Sequence, residues 1–299
     1  MTNGKMVRGK FWKIATNKTI QCLLCPHYCL IEEGEVGKCK VRSNIEGQLI
    51  ADSYGLVSAV ALDPIEKKPL KLYKQGNNIL SIGSFGCNMN CSFCQNHGIS
   101  LEYEERLKYG KNIYPSQLAT LARKAMLENN IGVAYTYNEP FVGYEYVLDC
   151  AKIINSMALD NVIVTNGFIN PIPLKMLLPY INAMNIDLKC FSSNYYKALG
   201  GQLDKVKDVI EIVANKPHIH LEITTLIIPE DNDCENEINE MAKWIASINP
   251  NTPLHLSRFF PVYKYCHGKP TPIDLLHRLK EIATRHLNNV FIGNVPTGQ

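Results

Sequence analysis

"NILSIGSFGCNMNCSFCQNH", residues 78–97, runs a short apolar segment into three cysteines, Cys87, Cys91 and Cys94, spaced C-x3-C-x2-C. The opening residues "NILSIGSF" are apolar and bounded by turn-forming types, which predicts a β-strand. The cysteines therefore stand just past a strand's carboxyl end. Downstream, "IGVAYT" (131–136), "NVIVT" (161–165), "YINAMNID" (180–187), "HIHLEITTLIIP" (218–229), "PLHLSRF" (253–259) and "NVFIG" (289–293) read the same way. Amphipathic helical patterns separate most of them. Pro115 suits a first helical turn, with Leu118, Leu121, Ala122 and Ala125 on one face. A second stripe runs through Val147, Cys150, Ala151 and Ile154, which gives Cys150 the role of a small hydrophobe. Further on, Thr271 reads as an N-cap and Pro272 as the first helical residue ahead of Leu275, Leu279 and Ile282.

Strand-then-helix order implies an α/β fold with a mainly parallel sheet, doubly wound or curled into a full or partial (β/α) barrel. The predicted division is a small N-terminal cysteine-rich segment with lead-in over 1–75 and a barrel core over 76–299. Ligands collect at the carboxyl ends of strands in such folds, so the post-strand residues are the candidates. They are the cysteine triplet, Tyr137-Asn138-Glu139-Pro140, Asn166-Gly167, Asp187 with Leu188 and Lys189, and the run Glu230 to Asp233. His255 and Arg258 belong to the strand at 253–259.

The chain has 299 residues, 46% hydrophobic and 20% charged, enough for one large core with a small appendage. A formal net charge of +3 demands neither a phosphate backbone nor an anionic membrane, so neither is expected as a partner. No apolar run is long enough to span a bilayer, and "MTNGKMVRGKFWK" (1–13) lacks the apolar core of a signal peptide. A cytoplasmic location is the expectation. Seven of the eleven cysteines lie between Cys22 and Cys94, in two clusters. In a reducing compartment such clusters hold metal or do chemistry more often than they form disulfides.

Thiolates suit zinc and iron–sulfur clusters alike, so spacing has to decide. Zinc knuckles favour pairs at C-x2-C, whereas three cysteines at C-x3-C-x2-C can ligate three irons of a [4Fe–4S] cube and leave the fourth bare. The alternatives are a zinc site borrowing a remote cysteine and three buried thiols without a task.

"CNMNCSFC" (87–94), with Phe93 before the last cysteine, resembles the signature of the radical S-adenosylmethionine (SAM) superfamily. "YNEP" (137–140), "VTNG" (164–167), "NIDLK" (185–189) and "IIPEDND" (227–233) resemble strand-end motifs of pyruvate formate-lyase activating enzymes. "CLLCPHYCLIEEGEVGKCKVR" (22–42), "DPIEKKPLKLY" (63–73), "CQNH" (94–97) and "HLSRFFPVY" (255–263) are similar to the AmmeMemoRadiSam-system radical SAM enzymes. The resemblance runs from about residue 20 to the end. It implies that SAM binds the open iron, that a reduced ferredoxin or flavodoxin-type protein supplies an electron, and that a 5′-deoxyadenosyl radical takes hydrogen from a substrate. A protein substrate is the activase-like expectation, and a small molecule the alternative. Glu139 would accept from the methionine ammonium, although Tyr137 and Asn138 stand where the superfamily motif has two glycines. Asn166, Asp187 and Lys189 would contact SAM or substrate, or else pair with neighbours. His255 is placed near the adenosyl group; it or Arg258 would otherwise face solvent or the lumen.

Cys22, Cys25, Cys29 and Cys39 form C-x2-C-x3-C-x9-C around turn residues Gly34 and Gly37. Four thiols close a site. Structural zinc is the first reading, a second [4Fe–4S] cluster the next, and unliganded thiols the last. His27 is expected at the surface, and Cys190, Cys234 and Cys266 are given no role. Two readings outside enzymology remain, an iron–sulfur electron carrier and a degenerate barrel acting as a binding subunit. The polar strand ends speak against the first and the intact triplet against the second.

Overall fold

Neighbouring side chains along the central strands enter different cores, and this organises the molecule. Ile79, Ala134, Val162 and Ala183 face inward, where Ile65 and Leu70 pack on them. Leu80, Ile82, Val133, Ile163, Met184 and Ile186 face outward into the helical layer. Burial on both faces is why these strands read as near-continuous apolar runs. The computed structural model describes residues 6–16, 18–102 and 110–295. The opening residues 1–5 of the stretch read for a leader lie outside that set.

Seven strands run parallel, in chain order: β2 (Asn78–Gly83), β3 (Asn130–Tyr135), β4 (Asp160–Thr165), β5 (Ala183–Asp187), β6 (His220–Ile227), β7 (Leu254–Arg258) and β8 (Val290–Gly293). One more, β1 (Ala59–Pro64), adds antiparallel to β2. Among the described residues β1 and β8 stand at the two open edges of the sheet, yet residues following β2 and β8 line one cavity, so the sheet is a curled, open, partial barrel. Helices α1 (Pro115–Ala125), α2 (Tyr144–Ser156), α3 (Pro171–Leu177), α4 (Leu203–Ala214), α5 (Glu235–Ile248) and α6 (Ile273–Ala283) fill the connections.

Two helical details differ from expectation. In α1, Leu118, Ala119 and Ala122 are buried and Leu121 is 37% exposed, so the apolar face is turned by about one position. Thr271 does not cap α6. Its fully buried hydroxyl donates to Ile227 O (2.6 Å) and accepts from Phe259 N (2.9 Å), tying the ends of β6 and β7. The α2 stripe of Val147, Cys150, Ala151 and Ile154 is buried as read.

The segment from Ile65 to Lys74 closes the lower lumen. Lys71 and Leu72 donate their backbone N–H groups to Glu222 (2.9 and 2.8 Å), and Tyr73 donates its hydroxyl to Asp160 (2.9 Å). The expected division at residue 75 thus cuts a continuous unit, because β1 and this floor belong with the sheet. Ahead of them, Trp12–Thr16, Thr19–Cys22 and Leu30–Ile31 form a small sheet, followed by the hairpin Arg42–Ile45 and Gln48–Ala51. A buried ion pair, Arg42 to Glu145 (2.8 Å), docks this region on α2.

Candidate active site

A cavity of about 370 Å³ opens where the parallel strands end. Cys87, Cys91 and Cys94 form part of its wall, with Glu139, Asn166, Asp187 and Lys189 also lining it. Seven predicted residues from four separate strand ends therefore share one space.

The cysteine loop is shaped by close approach. Gly86 has φ +86°, and a Cβ there would lie 2.7 Å from Cys39 O, so the turn that launches Cys87 excludes a side chain. Sulfur-directed donors converge on Cys87: Met89 N at 3.4 Å and Asn166 Nδ2 at 3.6 Å. Asn166 also donates to Asn88 Oδ1 (2.9 Å) and accepts from Phe168 N (2.8 Å). Over the far side of the loop, Tyr263 stacks on His97 with ring centroids 4.5 Å apart, and Lys264 N donates to Ser92 O. Burial pushes the Cys87 thiol well above its ordinary value, the Cys91 thiol up to about 11, and Cys94 upward as well. Metal binding to such thiols has to release protons.

Glu139 is 3% exposed and its carboxylate is held by three donors. Phe141 N (3.0 Å) and Thr165 Oγ1 (2.7 Å) donate to one oxygen, and Asn166 N (2.8 Å) to the other. Burial outweighs them and pushes its carboxyl up to about 7. The preceding Tyr137 sits at φ +74°, the left-handed region where the expected motif has glycine. Its hydroxyl donates to Asp63 (2.9 Å), and the Lys68 ammonium lies 4.9 Å from its ring centroid. Asn138 donates to Phe85 O and Gly86 O (both 3.0 Å) and accepts from Ser84 N (2.9 Å), which pins the start of the cysteine loop.

Residues 81–245 match the family model described as the radical SAM superfamily. The chain belongs to the radical SAM superfamily. It is 37% identical over 293 residues to uncharacterized protein MJ0808 of Methanocaldococcus jannaschii, covering 97% of this chain and 86% of that one. Among solved structures it resembles Streptococcus suis SuiB bound to S-adenosylmethionine, with a TM-score of 0.55 at 17% identity over 77% of this chain and 54% of that chain. A radical SAM methyltransferase from Sphaerobacter thermophilus aligns with a TM-score of 0.52 at 14% identity, over 73% and 70% of the two chains. These structural likenesses establish the shared fold.

Membership of the radical SAM superfamily implies a [4Fe–4S] cluster and SAM, and the donor set fits them. Among the described residues lining the cavity, the cysteines are Cys87, Cys91 and Cys94, with no fourth to close the site. Among the described residues, too, no three His, Cys, Asp or Glu side chains are drawn together as ligands of a single ion. A cube needs no such convergence, since each thiolate holds a different iron.

Other residues separate into those at the cavity and those away from it. Lys189 Nζ pairs with Asp187 Oδ2 (2.9 Å). Burial works against the Lys189 charge, but Asp187 and the neighbouring Cys91 sulfur raise its pKa well above the ordinary value. Asn232 secures this corner by donating to Lys189 O (2.6 Å) and Leu226 O (2.8 Å). His255 does not line the cavity. It lies on the second residue of β7 and donates Nε2–H to Glu222 Oε2 (2.5 Å), below the strand ends and beside the floor. Arg258 donates to Thr271 O (2.8 Å) and stacks on Phe260. His27 is half-buried rather than at the surface, donating to Asn88 O (2.7 Å) and meeting Phe168 edge-on.

Of the lining residues not singled out from the sequence, three bear on the chemistry. Lys68, 4% exposed and paired with Asp63 (2.8 Å), comes from the floor segment. Thr165 holds Glu139. The Thr224 hydroxyl is buried, lacks a protein partner and lines the cavity, so it is available to a ligand. Alternation in β6 was the available signal, because Thr224 shares its face with Glu222 and Leu226.

Proposed function

We propose that Cys87, Cys91 and Cys94 hold the site-differentiated cluster and that Glu139, with Asp187 and Lys189, receives the amino-acid end of SAM. The observation that carries this reading is the single cavity shared by three cysteines and those charged groups. When bound, the cluster and SAM supply reductive cleavage of the sulfonium and a 5′-deoxyadenosyl radical. The chain's own residues bind, orient and exclude water. Ionised Glu139 accepts from an ammonium, Lys189 donates to a carboxylate, and Thr224 offers a hydroxyl farther into the lumen. Asn166 acts through Cys87, by donating to its sulfur, rather than through SAM.

The substrate we propose is a protein segment, in the manner of glycyl-radical activases; the likeness of the strand-end motifs to those enzymes supports it. A small-molecule substrate is the second reading, favoured by a cavity in the size range of small-ligand sites. For electron supply we propose a reduced ferredoxin or flavodoxin-type protein. A second surface cavity beside the cysteine loop, lined by Lys38, Lys264, Met89 and Asn90 with Glu102, offers lysine charge to such an acidic donor. The cytoplasm is the proposed location; among the described residues no helix is long and apolar enough to cross a membrane.

The test is turnover of the reconstituted, dithionite-reduced protein with SAM in extract from deuterium-grown cells. Formation of 5′-deoxyadenosine carrying deuterium is expected, with the donor found in the protein fraction. Donor activity confined to the low-molecular-weight fraction would replace the protein substrate by a metabolite. Absence of 5′-deoxyadenosine with a full cluster complement would refute the proposal.

A further inference from the structure

Folding brings Cys22, Cys25, Cys29 and Cys39 to the wall of one small apolar pocket outside the active-site cavity. Buried thiols can serve as small hydrophobes, but a charged neighbour makes that account incomplete. Arg42 is 1% exposed and lines the same pocket. Its two terminal nitrogens bond to Glu145 (2.8 and 2.9 Å), and one also donates to Lys10 O (2.9 Å). Its Nε–H has no nitrogen or oxygen partner, and the guanidinium hydrogen-bonds instead to the Cys22 thiol. Neutral thiols accept weakly. Metal-bound thiolates, by contrast, are anionic acceptors suited to such a donor.

The metal can be narrowed further. Zinc gathers four sulfurs at about 2.3 Å from one point, which brings them into mutual contact. Among the described residues no three cysteines converge in that way. The four line a pocket instead, as Cys87, Cys91 and Cys94 do at the active site. We infer that Cys22, Cys25, Cys29 and Cys39 ligate a second [4Fe–4S] cluster, with Arg42 Nε–H directed to its sulfur shell. Four protein ligands leave no iron open, so this cluster does not bind SAM. Asn88, which lines the pocket, directly follows Cys87 in the chain and its Oδ1 accepts from Asn166. The second cluster therefore lies across one residue from the first.

Anaerobic reconstitution followed by iron, zinc and Mössbauer analysis tests this, on the full chain and on Cys87→Ala/Cys91→Ala/Cys94→Ala. About eight irons per wild-type chain are expected, and about four in the triple variant. The variant's reduced electron paramagnetic resonance signal should ignore SAM. Should the variant fail to fold, the wild type alone decides, because only about half of its iron should respond to SAM. About four irons with one zinc, or iron that responds to SAM in full, overturns the inference. The active-site reading fails differently, with the triple variant keeping all of the wild type's iron and no response to SAM in the wild type.

Discussion

Glu139→Gln removes one ionisable group from a site where its charge is opposed, and the consequence is a stability difference that depends on pH. The wild-type carboxyl has an ordinary value of 4.5 and is pushed up to about 7, chiefly by burial. At 1.36 kcal/mol per tenfold change in proton affinity, the gap is worth about 3 kcal/mol. The folded state holds this proton more tightly than the unfolded chain does. Its contribution is thus intact below pH 4.5, falls as pH rises through the interval to about 7, and levels off above. Glutamine has no such interval. Its amide must, however, present an N–H₂ to one of the donors that now reach the carboxylate, leaving a buried N–H unmade at a cost of roughly 1–3 kcal/mol at every pH. Urea denaturation of the metal-free protein should therefore show the variant less stable at pH 5, with the gap moving in its favour by about 2–3 kcal/mol by pH 8. A difference between the two proteins that stays constant from pH 5 to 8 would refute the assignment of a burial-raised carboxyl.

The same ionisation should govern ligand binding: SAM affinity of the reconstituted protein, by equilibrium dialysis, is expected to rise about tenfold from pH 6 to 8, and a flat profile would separate Glu139 from the ammonium. His255→Ala should destabilise the fold by roughly 1–3 kcal/mol, because Glu222 keeps its burial and loses a donor, while SAM affinity stays within about twofold. A larger loss of affinity would return His255 to the ligand site. Arg42→Ala leaves Glu145 buried without its cation and should cost about 3–5 kcal/mol in chemical denaturation, whereas Arg42→Met with Glu145→Leu should recover most of it. Equal stability of the single and double variants would argue that the pair contributes only through packing.

The barrel was legible because its strands are buried on both faces and its polar residues stand at strand ends, a pattern that survives in one dimension. "NVIVT" begins one residue earlier than read, and β6 is shorter than "HIHLEITTLIIP" at both ends. What the sequence does not carry is depth within the lumen. His255 and Ser257 share a strand face, yet Ser257 lines the cavity and His255 does not: it stands level with Thr224 in the sheet, but its ring bonds to Glu222, one inward-facing position lower on β6. Nor does spacing reveal that residues 65–74 fold back into the lumen and deliver Lys68 to the site. Thr271 illustrates the same point at a helix start: a local capping signal yielded to two buried backbone partners that lie far apart in the chain. Tyr137, conspicuous in the motif because it stands where glycine is expected, adopts a left-handed backbone and is fastened by Asp63.

Electron–nuclear double resonance on the dithionite-reduced protein, with SAM labelled at its amino nitrogen, addresses the open iron most directly. Hyperfine coupling between the label and the cluster should be present in the wild type and absent in Cys91→Ala. A cluster-loaded wild type that shows no coupling, or one whose coupling survives loss of Cys91, would contradict a cofactor held at three corners by Cys87, Cys91 and Cys94.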